Sequence, residues 1–206
     1  MKRPLLSLAS RICQRLAALA ASSRGASAVE FAFVAPFFIT LTIGLLDVSQ
    51  MVYAKSVMSG AVQRAARDSS LETADTTRGD RIVREMIGPL LPASAIITTR
   101  VSYYDFADIG RKERWNDANN NGTCDNQESY ADENRNGSWN PDIGVSGNGG
   151  AGDVVLYTVT ASYPPTFKIP FAPYNWNQRV LRATAVKKNQ PFADQANYGA
   201  SSGTCT

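Results

Sequence analysis

From Ala26 to Leu46 the chain carries one charge, Glu30, and this apolar run constrains the fold more than any other feature. As a helix rising 1.5 Å per residue it spans about 30 Å, the thickness of bilayer hydrocarbon, so the run predicts a single-pass anchor. Pro36 falls inside it and is tolerable there, with a kink as the expected consequence. A carboxylate in hydrocarbon is costly and marks function, because nothing around it supplies water or a counter-charge. Cutting the chain after Gly25 would place the new α-amino group of Ala26 one helical turn from Glu30. That amine, or the one on a neighbouring subunit, would neutralise the carboxylate.

Ahead of the run stand Lys2, Arg3, Arg11, Arg15 and Arg24 and no acid. Arginines interrupt every apolar stretch of this leader, so it lacks the continuous core of a secretory signal. Five leading cations, with Asp47 just past the run, orient the N-terminus to the cytoplasm and the body outward. They also explain the formal net charge of +3. Taking those five from the 21 basic residues leaves 16 against 18 acidic ones, which gives no footprint for nucleic acid. Histidine is absent, which removes the usual neutral-pH base and makes catalysis a minor reading. Beyond the anchor the thiols are Cys124 and Cys205. Such a pair permits a disulfide outside the cytoplasm, but sequence alone does not fix its geometry.

Past the anchor, Met51, Ala54, Met58, Ala61 and Ala65 recur at helical spacing while Gln50, Lys55, Gln63, Arg64 and Arg67 take the other face. The helix therefore continues and packs its stripe on the chain's own soluble domain. Gly79 and Asp80 precede a short helix, residues 81–87, that stops at Gly88-Pro89. Residues 95–106, 153–163 and 179–187 read as strands, with a Pro- and aromatic-rich crossing over 166–177 and a polar tail from Asn189. One long helix over about three antiparallel strands is an α+β fold.

Between the first two strands the composition changes. Asp117, Asn119, Asn121, Thr123, Asp125 and Glu128 stand at positions 1, 3, 5, 7, 9 and 12 of a twelve-residue calcium loop, with Gly122 at position 6. A hard divalent cation wants several oxygens in one small sphere, and a chain coiling around it offers alternate side chains. Thr123 would give its carbonyl and Glu128 both oxygens. A second copy offers Asp132, Asn134, Asn136, Ser138 and Asn140, with Gly137 at the turn. Ile143 stands where its closing glutamate belongs, and Asp142 is the expected substitute. Asp/Asn/Gly turns are common in loops, but two aligned copies favour bound calcium. With no flanking helices evident, the expectation is a paired calcium-loop insertion over 105–150. The G-x-G-x-x-G of residues 147–152 follows a loop and precedes a strand, the reverse of a nucleotide site, and reads as a flexible connector.

The basic leader, Gly25-Ala26-Ser27-Ala28-Val29-Glu30-Phe31, Pro36, and the continuation through Tyr53-Ala54-Lys55 to Ala61-Val62-Gln63-Arg64-Ala65-Ala66-Arg67 resemble the TadE-like pseudopilins of tight-adherence pilus systems. Resemblance is strongest over 24–67 and returns weakly in 154–164 and 179–191. It implies a leader (1–25) removed by prepilin peptidase between Gly25 and Ala26, an inner-membrane helix (26–46), its outward continuation (47–72), and a periplasmic or extracellular pilin-like domain (80–206). Glu30 becomes the fifth mature residue and serves subunit docking. The implied partners are other pseudopilins, the major pilin and the inner-membrane assembly platform, and the implied function is that of a non-catalytic minor pilin. The alternative is a permanently anchored, calcium-dependent binding protein that never enters a filament.

Overall fold

The computed structural model describes residues 25–70, 75–92, 94–166, 178–191, 193–196 and 199–206. The chain divides into two compact units, residues 1–48 with 167–173 and residues 49–166 with 174–206. Among the described residues the first unit is the apolar half of helix α1, Ala26–Asp68, which runs unbroken through Pro36. Thr40 and Thr42 donate their hydroxyls to the carbonyls of Pro36 and Phe38, both at 2.8 Å, so these polar side chains are satisfied within the helix, as hydrocarbon requires. The leader residues 1–24, with Cys13, lie outside the described residues.

In the second unit α1 ends where Ser69 and Ser70 turn their hydroxyls onto the carbonyls of Ala66 and Arg67, at 3.1 and 2.7 Å. The expected stripe is the buried one. Ala54, Met58, Ala61 and Ala65 are inaccessible to solvent, and Met51 packs partly buried against them. Helix α2, Thr76–Ile87, begins five residues before the expected start, because Asp75 caps it by accepting the Arg78 amide at 3.0 Å. Gly79 therefore lies inside the helix. A Cβ there would meet the Ala65 side chain and carbonyl at 3.5 Å, an ordinary packing distance, so α2 lies against α1 at this point.

The sheet has four antiparallel strands in the order β3-β1-β4-β5: β1 Ala95–Tyr103, β3 Val145–Ser146, β4 Val154–Tyr163 and β5 Arg179–Lys188. About three strands were expected. The fourth is the two-residue β3, too short to give a periodic signal, which pairs Val145 and Ser146 with Ser102 and Val101. Tyr157, Val159, Ala161 and Tyr163 on β4, with Leu181 and Ala183 on β5, form the sheet face that buries the helix stripe. A fully buried side chain of the size of Val159 contributes about 1.5–3 kcal/mol.

A polar pin crosses this core. Asp80 on α2 accepts from Arg100 (2.6 Å), Tyr157 (2.7 Å) and Thr98 (3.1 Å), while the Arg100 guanidinium lies 4.3 Å from the Tyr157 ring centre. Burial pushes the Asp80 carboxyl up, but these donors outweigh it and hold it below the usual carboxylate range.

One expectation changes. The Gly147–Gly152 stretch is a bonded turn, not a loose connector: Asn189 donates to the Asn148 and Gly150 carbonyls at 2.7 and 2.8 Å, and Asn148 to that of Ser69 at 3.1 Å. The tail is pinned too. Its β6, Ser201–Thr204, pairs antiparallel with β2, Ser129–Asp132, in a separate two-stranded ribbon. The predicted crossing over 166–177 falls almost wholly outside the described residues.

Candidate functional site

Two places carry the residues singled out by the sequence, one in each unit. Helix α1 starts at Ala26, directly after Gly25. Glu30 lies exposed one turn in, among the exposed apolar side chains of Val29, Phe31, Phe33 and Val34. The helix is long and apolar enough to cross a membrane, and none of its most apolar stretch is buried within the protein. A fully apolar surface interrupted by one carboxylate is suited to lipid or to other helices.

The second place is the insertion. Its first loop folds on its own side chains. Asp117 accepts the Asn121 amide at 3.0 Å and the Gly122 amide at 2.9 Å, and the Asn121 side-chain oxygen accepts the Thr123 amide at 2.8 Å. Glu128, at position 12, reaches back to the amides of Ala118 (2.8 Å) and Asn119 (3.4 Å) with one oxygen and to that of Asp125 (3.3 Å) with the other. Gly122 has φ of 76°, where a Cβ would be strained, and Asn120 at position 4 also takes the left-handed region. Asn119 and Asn121 rest their side-chain nitrogens on Asp125 at 2.9 and 2.8 Å.

The second loop repeats this geometry. Asp132 accepts the amides of Asn136 (3.1 Å) and Gly137 (2.8 Å), and the Asn136 oxygen that of Ser138 (2.8 Å). Gly137 and Arg135 take positive φ at positions 6 and 4, as Gly122 and Asn120 do. Asn134 and Asn136 donate to Asn140 at 2.9 and 2.5 Å. Among the described residues no three Asp, Glu, Cys or His side chains converge closely enough to form a metal cage by themselves.

Asp142 bonds groups outside the second loop. Its carboxylate accepts from the Tyr103 hydroxyl at 3.0 Å and from the Gly144 amide at 2.9 Å. Burial first, and then Asp142, pushes the Tyr103 hydroxyl up to about 12. The amides of the second loop are bonded from upstream by Glu113, which the sequence reading missed. One of its oxygens accepts the amides of Glu133 (2.9 Å) and Asn134 (3.4 Å), and the other accepts that of Asn140 (2.8 Å). These are positions 2, 3 and 9, the same three amides that Glu128 takes in the first loop. The signal was present as E-x-aromatic-x-D, shared by residues 113–117 and 128–132.

Glu133 turns to two arginines instead. Arg111 grips it at 2.6 Å and Arg114 at 3.2 Å, and the Arg111 hydrogen bond holds its carboxyl down to about 2 against the opposing effect of burial. Trp115 and Trp139 meet edge to face at 5.2 Å between ring centres. Cys124, at position 8 of the first loop, is disulfide-bonded to Cys205, with Cα atoms 5.7 Å apart. The bridge fastens the C-terminal ribbon to that loop.

Residues 25–67 match the model of the TadE-like protein family. The match runs from Gly25 almost to the end of α1, and so covers the apolar anchor, Glu30 and the buried stripe. It points to a protein associated with Tad pili and the membrane, in a family that is structural rather than enzymatic. No curated protein and no solved structure matches the chain.

Proposed function

We propose that this chain is a non-catalytic minor pilin, or pseudopilin, of a tight-adherence pilus. It is cut by prepilin peptidase between Gly25 and Ala26, anchored by α1 in the inner membrane, and joined to other pilins through that helix. The observation that carries this reading is the family match over residues 25–67 together with Glu30, an exposed carboxylate on an otherwise apolar helix. Helix packing in lipid lacks a hydrophobic drive, so a carboxylate meeting a neighbour's terminal amine gives both attraction and register. Calcium held by the two loops stabilises the outward domain, by binding the folded state alone.

Glu30→Ala leaves the protein inserted and stable but stops its assembly, read as loss of surface pili beside an unchanged membrane level. Normal piliation in that variant rules out the docking role. A second reading takes its support from the match ending at residue 67, which leaves the exposed domain without a family assignment. In that reading the chain is a permanent membrane anchor for a calcium-dependent binding domain, and its N-terminus stays uncut.

A further inference from the structure

Read from their glutamates, residues 113–127 and 128–142 align without a gap, E-R-W-N-D-A-N-N-N-G-T-C-D-N-Q over E-S-Y-A-D-E-N-R-N-G-S-W-N-P-D. The repeat is therefore not a loop followed by its closing residue. It is a glutamate, an aromatic, and then the loop. The glutamate that leads the second repeat, Glu128, closes the first loop. No third repeat follows, and Ile143 occupies the place where its glutamate would stand.

The fold resolves that shortage by pairing the two leading segments antiparallel. Trp115 bridges Tyr130, the Asn116 amide donates to the Ser129 carbonyl at 2.8 Å, and the Ala131 amide to the Arg114 carbonyl at 2.8 Å. Glu113 is thereby brought to the loop that begins at Asp132, as Glu128 is to the loop that begins at Asp117. The main chain agrees with the side chains. The Glu128 amide donates to the position-9 carbonyl of its loop, Asp125, at 2.9 Å, and the Glu113 amide to the position-9 carbonyl of the other, Asn140, at 3.1 Å.

Burial supplies an independent pointer to a cation. Glu113 is 0 % exposed and Asp132 is 4 % exposed, and among the described residues neither has an ion pair. The nearby guanidinium groups of Arg111 and Arg114 are spent on Glu133 instead. Hydrogen bonds satisfy both carboxylates, Glu113 by three backbone amides and Asp132 by two with the Ser201 hydroxyl at 3.3 Å, and a cation would add the counter-charge that this shielded loop lacks.

We infer that Glu113 is the closing ligand of the second calcium loop, so that the two sites form a closed pair in which each repeat's leading glutamate completes the other repeat's loop. The inference rests on the calcium reading proposed above and deepens it. It gives the second site its missing bidentate carboxylate and makes Asp142 a bystander.

Calorimetric titration of calcium into the chelator-stripped full-length protein, held in detergent micelles, separates the two levels. The wild-type protein takes up two ions. Glu113→Gln takes up one, with the remaining affinity within about twofold of the first-loop value, while Asp142→Asn still takes up two. Glu128→Gln also loses one ion, this time from the first loop. Two ions at wild-type affinity in Glu113→Gln, or loss of an ion in Asp142→Asn, overturns the assignment of Glu113 and leaves calcium binding in place. Should Glu113→Gln lose both ions, Glu113→Asp decides. Recovery of both, one of them weakened by about tenfold or more, supports the ligand role, and failure to recover them overturns it. A wild-type protein that binds no calcium refutes the calcium reading itself, and the pairing with it.

Discussion

The helix-and-sheet core and the inserted loop pair lie in one compact unit but are held by different forces. In the core, Met58, Val62, Val83, Tyr157 and Val159 are inaccessible to water, and apolar burial dominates. In the insertion the carboxylates of Glu113, Glu128 and Asp132 are buried beside Tyr130 and Ile143. Order there comes from carboxylate-to-amide bonds, the grip of Arg111 on Glu133, and the Cys124–Cys205 bridge. A chain that must fold one region around hydrocarbon and another around charge separates them in sequence, with Tyr103 and the Asn148–Asn189 bonds at their border.

The comparison breaks most sharply at the disulfide. Cys205→Ser unties the C-terminal ribbon from the first loop, at the typical cost of about 2–4 kcal/mol for a lost native bridge. That loss should fall on the insertion and the C-terminal ribbon, read as early proteolysis there while the core's melting transition stays in place. Loss of both together would show that the regions are not energetically distinct. Met58→Ala is the counterpart in the core and should cost about 3 kcal/mol in denaturant titration, by the same amount with and without chelator. Asp75→Ala, which removes the α2 cap, should cost about 1 kcal/mol and leave cation uptake untouched.

The smallest effects lie at opposite ends of the pH scale. Glu133 has a carboxyl lowered from 4.5 to about 2 by Arg111, so its contribution is complete above about pH 4.5 and is lost as pH falls through about 2. Lys187 in the core behaves in the opposite sense. Burial, aided by Arg100, lowers its ammonium from 10.5 to about 8, so the unfolded chain holds that proton more tightly and stability rises as pH climbs through this window. The difference between wild type and Lys187→Met, followed by thermal melts from pH 7 to 10, should therefore grow in favour of wild type. A flat difference would contradict the burial of that charge.

What the sequence made legible follows the same division. Periodicity revealed the α1 stripe and β4 because their side chains repeat at the spacing of one buried face. It missed the start of α2, where a lone Asp75 cap carries the signal, and the two-residue β3, which has no period to detect. In the insertion, the repeated Asp/Asn/Gly spacing of both loops was readable because it is local. The partner of the second loop was not, since Glu113 lies upstream and reaches Asn134 only after two short segments pair. Asp142 was the nearest carboxylate in sequence, and Tyr103 claims it in space. Likewise the Cys124–Cys205 contact depends on β2 meeting β6, a long-range pairing that no window of residues records.

The central claim is that α1 joins subunits after proteolysis exposes its first residue. Intact mass measurement on the protein purified from its native membrane tests this most directly. The account predicts a mature chain beginning at Ala26, without the five leading cations. A chain that still begins at Met1 in cells making pili would contradict it.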